Sequence, residues 1–420
     1  MDKKSGSNPA VFTRLLSRLS PRRVIKALRL LFTEGPKAAL QKSLEANYID
    51  RDFGALRRAA DFGLFLSYRP EFEEKAAELI SAFSLCGARL ESSDEKSEKG
   101  VSFLLFPEGN ESPRGVYIVI NKRRAEDMDE SYLLLLKSAY EVLDTVAENF
   151  FVWEKRGSLA RLPYFLPDYD SDERDFYLSR FLLAQELTDF ESFYEKNKNF
   201  AAPLGDRVCL SLKETPARFE NFKSYGIGGF SFFPGLRHRY AFLGCALSYK
   251  FLIKFAKDSG FRQMLIAEDD TVFPPDFEER FKKISDFLRD TEFDVFSGLM
   301  AESESAEILG FFRHEGENIV LTDRLMSMVF NIYSENVYDS ILDYDENFRD
   351  PFKNTVDRFL SGKTLRVFCA LPFLAGHSEN GGSTLWNRSS HYGEMISKSE
   401  KTLEKKLEEF LMSDKAKAVK

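Results

Sequence analysis

Three acidic residues in succession are the strongest chemical signal in this sequence. Glu268, Asp269 and Asp270 come directly after the apolar run 264–267, which predicts a buried strand. Ligands of open α/β sheets bind beyond the carboxyl ends of the strands, so we expect the acids in a substrate crevice. Clustered carboxylates attract a divalent cation, and hard oxygen ligands favour Mg²⁺ or Mn²⁺ over softer metals. The alternative interpretation is a solvated, acidic start of the helix that is predicted next.

The elements that position these acids alternate between strand and helix. Residues 205–395 are predicted to contain strands at 208–212, 264–267, 293–299 and 327–333, a hairpin at 308–312 and 319–322, and helices at 216–225, 243–257 and 335–342. This alternation predicts an α/β domain with a mixed, mainly parallel sheet.

The preceding residues, 45–204, are predicted to form a second α/β domain of unknown role. The pattern indicates helix over 45–90, a surface loop over 91–100, strands at 101–106 and 115–120, and one helix from Glu130 to Phe150. The segments 115–121, 132–143, 147–150 and 162–167 loosely resemble the nucleotide-free half of two-domain bacterial glycosyltransferases. The connections are poor in glycine and offer no phosphate loop, so we assign this half no chemistry and expect an acceptor-side, docking or vestigial module.

Composition restricts the class of protein. The net charge of -8 argues against nucleic acid as the main partner, because binding to a phosphate backbone needs a concentrated basic surface. The 4 cysteines have no paired spacing, which suits a reducing compartment. The sequence shows neither a standard secretion signal nor about 18 consecutive apolar residues. We therefore expect a cytoplasmic protein without a transmembrane helix.

The two ends of the chain carry charged amphipathic segments. Residues 1–44 form a basic N-terminal arm in which cations alternate with apolar residues around Pro21. The arm either lies on an anionic membrane surface, at the inner face of the membrane, or packs on its own domain. Residues 396–420 are predicted to form a charged C-terminal helix that suits docking or self-association better than catalysis.

An ordered set of motifs resembles glycosyltransferase family 25, the family of lipopolysaccharide-biosynthesis and collagen galactosyltransferases. The matching segments lie within about 205–385: Leu210–Leu212 with Pro216 and Arg218, Leu243–Tyr249 with its Gly-Cys-x-x-Ser start, Leu265–Asp270, Pro275–Phe277, Val356–Leu360 and Val367–Pro372. The sequence departs from the family at Tyr249, where the family has a histidine, and at 226–230, which replace an Asp-Gly pair. The role of that histidine is therefore open in this chain.

The resemblance implies a GT-A type fold, a nucleotide-sugar donor, most simply a UDP-sugar, and inversion at the anomeric carbon. Combined with the residue patterns, it gives the candidate site. We expect the metal, Mn²⁺ or Mg²⁺, at Glu268, Asp270 and His377, donor contacts at Leu212, Arg218, Ser248 and Asp269, and a general base at Asp357 or, as second choice, Asp350. His377 enters because its glycine-rich loop follows the last predicted strand; Asp350 enters because it precedes a proline in a predicted loop.

These residues support three hypotheses about function. The first is an inverting transferase that moves a hexose onto a surface glycan or a lipopolysaccharide-type acceptor, including glycolipids. The second is a catalytically inactive descendant that binds glycan or a partner enzyme, with Tyr249 as its mark. The third is a metal-dependent nucleotidyltransferase, which needs an attacking phosphate in place of a hydroxyl.

Overall fold

A computed structural model describes residues 53–92, 99–111, 113–156, 162–167, 173–378 and 392–413. The predicted basic arm 1–44 and residues 414–420, the end of the predicted C-terminal helix, lie outside the described residues. The helices are α1 Phe53–Ala60, α2 Glu73–Leu85, α3 Glu130–Ser138, α4 Asn149–Arg156, α5 Arg174–Ala184, α6 Phe190–Asn197, α7 Pro216–Ser224, α8 Ala241–Asp258, α9 Phe277–Arg289, α10 Tyr338–Leu342, α11 Val356–Ser361 and α12 Tyr392–Met412.

Sixteen strands are found in the described residues. They are β1 Leu64–Ser67, β2 Leu90–Ser92, β3 Val101–Leu105, β4 Val116–Asn121, β5 Glu141–Asp144, β6 Tyr164–Phe165, β7 Arg207–Ser211, β8 Ser231–Pro234, β9 Gln263–Glu268, β10 Thr271–Val272, β11 Val295–Ser297, β12 Ile308–His314, β13 Glu317–Thr322, β14 Phe330–Ser334, β15 Val367–Leu371 and β16 Gly376–His377. Together with the helices they confirm the predicted α/β class.

The first sheet contains β1 to β6 in the order β2-β1-β3-β4-β5-β6, and every neighbouring pair is parallel. Two predictions for this region were wrong. The predicted helix over 45–90 contains β1 and ends in β2, and the predicted helix Glu130–Phe150 is interrupted by β5. Strand β5 is buried on both faces, so it shows no alternation of apolar and polar residues that would separate it from a buried helix.

The second sheet has eight strands in the order β12-β13-β15-β11-β14-β9-β7-β8. It is mixed, as predicted, but it is not mainly parallel: four neighbouring pairs are antiparallel and three are parallel. The hairpin β12–β13 and the reversed strand β14 account for the difference, because strand direction cannot be recognised from an apolar run. The predicted hairpin is confirmed, with Gly316 in the left-handed region of the turn.

Long helices and aromatic side chains fill the space around the sheets. Helix α8 is buried along most of its 18 residues, and it packs beside α10 and α11. Phe251 of α8 stacks on Phe233 of β8 and contacts Phe193 and Tyr194 of α6, which joins the second sheet to the helices that follow the first. Among the described residues, no helix combines the length and the apolar character needed to cross a membrane.

A buried group of charges connects the two sheets. Arg180 of α5 and Glu214, in the β7–α7 loop, form an ion pair in which both side chains are 0% exposed. Arg237 lies 3.3 Å from the same Glu214 oxygen, and the backbone N–H of Phe165 donates to it at 2.9 Å. Arg237 also donates to the backbone oxygens of residues 162 and 163. We call Arg180, Glu214 and Arg237 the junction cluster.

Candidate functional site

The three acids lie at the point where the second sheet changes its winding direction. From β7 the chain passes to β8 on one side and then to β9 on the other side. Both neighbours of β7 run parallel to it, so the carboxyl ends of β7 and β9 lie together. Such a switch point is where open α/β sheets bind their ligands. The prediction that the acids end a buried strand is confirmed by β9.

Asp269 is fixed between the ends of these two strands. Its backbone N–H donates to the oxygen of Leu210 at 3.1 Å, and the hydroxyl of Ser211 donates to its Oδ2 at 2.5 Å. Arg218, on the first turn of α7, lies with Nη2 at 2.6 Å from Asp269 Oδ1. The same nitrogen contacts Asp270 Oδ2, so one buried guanidinium bridges two adjacent carboxylates.

His377 reaches Asp270 through a short strand pairing. Strand β16 pairs antiparallel with β10, and this register places His377 opposite Thr271. His377 Nε2 then lies 3.2 Å from Asp270 Oδ2, and the backbone N–H of Ser378 donates to the Asp270 carbonyl at 2.7 Å. The ring of Tyr392, at the start of α12, lies 4.4 Å from the imidazole. The structure therefore brings together His377 and Asp270, two of the predicted metal ligands.

Glu268 points toward helix α8 instead. Its Oε1 lies 3.3 Å from the hydroxyl of Tyr249 and 3.7 Å from the Cys245 sulfur. The Tyr249 hydroxyl also donates to the oxygen of Met328 at 2.7 Å. Tyr249 is thus a buried support for Glu268. We call Glu268, Asp269, Asp270, Arg218 and His377 the acid cluster.

The acid cluster contains more negative than positive charge, and the pKa values reflect this. Burial and the charge of Asp270 raise the pKa of Glu268 to about 7. Burial also acts to raise the pKa of Asp270, but the hydrogen bond from His377 and the charge of Arg218 outweigh it and lower that pKa. For His377, burial is outweighed by the hydrogen bond to Asp270, so its pKa is raised. Asp270 is therefore held ionised, while Glu268 is the carboxylate that is most easily neutralised by a proton.

The Gly-Cys-x-x-Ser motif has a structural explanation. A Cβ on Gly244 would lie 2.9 Å from both the backbone nitrogen of His238 and the oxygen of Leu236, so only glycine lets this loop cross α8. One turn later the Ser248 hydroxyl accepts from the N–H of Leu236 at 2.8 Å and donates to the Gly244 oxygen at 2.7 Å. Ser248, predicted to contact the donor, is occupied in holding this loop.

The other predicted residues divide into two groups. Asp357, in the first turn of α11, lies near enough to Glu268 and Cys245 for its charge to raise the pKa of the Cys245 thiol, after burial and Glu268. Asp350 lies in a turn, where its carboxylate accepts from the N–H of Phe352 at 2.9 Å. Leu212 offers its carbonyl to Thr215 at 3.0 Å. The structure thus brings Asp357 within electrostatic reach of Cys245, a neighbour of Glu268, while Asp350 and Leu212 shape loops.

The unpaired atoms at the acid cluster suit a cation that is held incompletely by protein. Asp270 is 9% exposed, and its Oδ1 and the Nδ1 of His377 are buried without a hydrogen-bond partner in the described part of the chain. Within the same residues, no three His, Cys, Asp or Glu side chains form a complete metal site. Mg²⁺ usually takes one or two carboxylates and completes its shell with substrate phosphates. A ligating histidine commonly donates its other N–H to a carboxylate, as His377 does.

Sequence reasoning missed several residues of the site. Ser211 is the last residue of β7, and its position next to Asp269 follows only from the pairing of β7 with β9. Thr271 donates to the carbonyls of Glu268 and Val329 at 2.7 and 2.9 Å and fixes the turn after β9. The sequence offered one signal for Ser211: it is a polar residue at the end of a predicted strand, as Glu268 is at the end of the neighbouring strand.

Comparison with known proteins adds no relative. No family model matches the chain, and no curated protein matches it.

Proposed function

We propose that the chain is an inverting glycosyltransferase with a GT-A type second sheet, transferring a hexose from a UDP-sugar to a surface-glycan or lipopolysaccharide-type acceptor. The observation that carries the proposal is the buried, unpaired Oδ1 of Asp270 at the switch point, beside a guanidinium that bridges two acids. A buried carboxylate oxygen without a partner is costly, and a bound cation satisfies it. The resemblance to family 25 gives the reaction class.

Asp270 and His377 are the residues that would hold Mn²⁺ or Mg²⁺, with Glu268 as the third candidate. When bound, the ion stabilises the negative charge that develops on the departing nucleotide diphosphate. Arg218 places a second positive charge at the same position, and its contacts with Asp269 and Asp270 hold it in place before substrate arrives. Ser211 supports this arrangement by fixing Asp269.

Asp357 is the candidate general base. Inversion requires the acceptor hydroxyl to attack the anomeric carbon on the face opposite the leaving phosphate. The new bond joins the acceptor oxygen to that carbon, the bond to the diphosphate oxygen breaks, and the hydroxyl proton passes to a carboxylate. Asp357 is in the first turn of α11, and its charge reaches Cys245, whose sulfur lies 3.7 Å from Glu268 Oε1.

A second candidate function is a non-catalytic binding module. It is favoured by Arg218, which already neutralises part of the acid cluster, and by the incomplete set of metal ligands in the described residues. Such a module would bind a nucleotide or glycan without metal and would not turn it over. A nucleotidyltransferase remains the third hypothesis, and release of pyrophosphate from a nucleoside triphosphate would identify it.

Location and acceptor belong to the same proposal. We propose a cytoplasmic enzyme whose basic arm, residues 1–44, lies at the inner face of the membrane beside a glycolipid acceptor. The alternation of cations and apolar residues in the arm supports this. Removal of the arm is expected to abolish sedimentation with vesicles of anionic lipid while leaving donor hydrolysis unchanged.

The testing experiment is thermal unfolding with UDP, with and without Mn²⁺, on the native chain and on Asp270→Asn. A transferase predicts stabilisation that requires both Mn²⁺ and Asp270, because a ligand bound only by the native state raises stability, by about 2.7 kcal/mol at a hundred times its Kd. Glu278→Gln, an exposed acid at the start of α9, is the matched control. Stabilisation without metal would favour the binding module, and no stabilisation by any nucleotide would contradict the transferase and leave only a glycan- or partner-binding module.

A further inference from the structure

We propose that the first sheet binds the phosphate group of a small molecule at the carboxyl ends of β1 and β3. This goes beyond the proposed transferase activity and does not depend on it. From β1 the chain passes to β2 on one side and to β3 on the other, and all neighbours are parallel. The order of β1 to β5 is that of flavodoxin-like sheets, which bind ligands at this switch point.

Cations from two strand ends meet at the loop that follows β3. Arg69, which follows β1, has its Nη1 2.5 Å from Glu108 Oε1. Arg123, which follows β4, donates from Nη2 to the Glu108 carbonyl at 2.8 Å. Lys122 Nζ lies 4.7 Å from the centre of the Phe106 ring. The three cations therefore surround residues 106–109 at the carboxyl edge of the sheet.

Lys122 has a positive charge without a matching carboxylate. It forms no ion pair within the described part of the chain, and its ammonium lies 3.9 Å from the ring centre of Phe72 as well as near Phe106. Burial and the charge of Arg69 lower its pKa, and the charge of Glu71 offsets only part of this, so the charged form lacks full compensation. An anion at this position would supply it.

The backbone beside these cations already holds an anion of the chain itself. The N–H groups of Glu108 and Gly109 both donate to the carboxylate of Glu111, each at 2.7 Å. Gly109 has φ of +99°, and a Cβ there would lie 3.1 Å from Tyr132 Cα, so the turn needs glycine. Consecutive N–H groups of this kind form a concave anion site. The Glu111 carboxylate stands in for two phosphate oxygens.

These observations define the ligand by its chemistry. A phosphomonoester carries more charge than a carboxylate, so it replaces Glu111 on the two N–H groups and gains Lys122 as a counter-ion. The rings of Phe72 and Phe106, 5.2 Å apart, offer an apolar surface beside the phosphate. The sequence-based expectation that this half has no chemistry, made because it lacks a glycine-rich loop, is revised by this proposal.

The test uses phenyl phosphate as the probe in isothermal titration calorimetry, at fixed ionic strength with EDTA to remove divalent ions. Glu111→Ala frees the two N–H groups, and we expect binding at least about fivefold tighter. Lys122→Gln removes a charge-assisted contact, and we expect binding about tenfold weaker. Lys137→Gln, an exposed lysine on α3, is the matched control and should bind like the native chain.

Competition identifies the group that is recognised. Inorganic phosphate should displace phenyl phosphate, whereas phenol should not. The proposal is overturned if the two variants shift the affinity in the same direction or not at all, or if phenol competes. It is also overturned if Arg218→Gln, in the acid cluster, abolishes binding, because the probe would then occupy the second sheet. Thermal melts of each variant establish that it is folded.

Discussion

The junction cluster and the acid cluster are built from the same groups but differ in charge balance. In the junction cluster two guanidiniums, Arg180 and Arg237, surround one carboxylate, Glu214. The acid cluster contains one guanidinium and one imidazole, which contact Asp269 and Asp270, and three carboxylates in all. Each contains a buried carboxylate oxygen with no partner in the described residues, Glu214 Oε2 and Asp270 Oδ1.

An unpaired oxygen therefore does not mark a ligand site by itself. Where cations outnumber acids, burial is outweighed by the charges of Arg180 and Arg237, and the pKa of Glu214 is lowered. Where acids outnumber cations, burial and the neighbouring charge of Asp270 raise the pKa of Glu268 to about 7. The first cluster is electrostatically satisfied and holds the fold together; the second is left in need of a cation.

The largest expected effect is on the stability of the junction cluster. Arg180→Met should lower the free energy of unfolding by about 3–5 kcal/mol, because it leaves the buried Glu214 with only the longer contact to Arg237 as its counter-charge. Urea denaturation measures this. The double variant Arg180→Met with Glu214→Gln should recover part of the loss, since the stranded charge is then removed. A loss below about 1 kcal/mol in the single variant would contradict the structural role.

The acid cluster should respond in activity more than in stability. Asp270→Asn is expected to reduce hydrolysis of a UDP-sugar about 100-fold, the scale of removing one preorganised charge contact. Release of UDP with Mn²⁺ present measures it, with Glu278→Gln as the control. Full activity in Asp270→Asn would show that the charge excess at this cluster serves another purpose than donor activation.

Neutralising one carboxylate in each cluster should change stability in opposite directions. The folded pKa of Glu268 is above its ordinary 4.5, so its stability contribution is complete below pH 4.5 and is lost as pH rises to about 7. Glu268→Gln should therefore be more stable than the native chain at pH 8, by about 3 kcal/mol, with no difference near pH 4. Glu214→Gln should be less stable at pH 8, because its ionised form is stabilised. Shifts of the same sign would contradict the comparison.

The smallest effect is expected at Tyr249, the buried tyrosine beside Glu268. Tyr249→Phe removes the hydroxyl between Met328 and Glu268, which should cost about 1 kcal/mol of stability. It should reduce donor hydrolysis only a few-fold, because Tyr249 supports Glu268 and does not contact Asp270. Thermal unfolding and UDP release measure both. A loss of donor hydrolysis as large as that of Asp270→Asn would indicate that Tyr249 acts directly in the reaction.

Local signals predicted the elements with clear punctuation. Helix α7 begins at Pro216, hairpin β12–β13 turns at Gly316, and β9 is an apolar run closed by acids. Strand β5 was missed because its four residues are all buried and show no alternation, and β1 because four residues are too few to reveal its alternation within helix-like surroundings. The direction of β14 was also beyond the sequence, because pairing depends on residues far along the chain.

The site was predictable where neighbours in sequence are neighbours in space. The acids 268–270 were predicted from the strand end and Arg218 from the motif. In the structure, Arg218 contacts Asp269 and Asp270. Ser248 was assigned to the donor from its motif. The motif does not reveal the loop contact that occupies its hydroxyl. The junction cluster joins residues 180, 214 and 237, and it accepts the backbone N–H of residue 165. No local sequence pattern indicates that combination.

The ion pair between Arg180 and Glu214 also constrains how this chain can change over generations. Each partner lies on one side of the boundary between the two sheets, so a recombination event that replaces either half alone would separate them. A chimaera that inherits Glu214 without an arginine from α5 begins with a severe folding defect. The two halves are therefore expected to be inherited as one unit, and substitutions at these two positions to occur together.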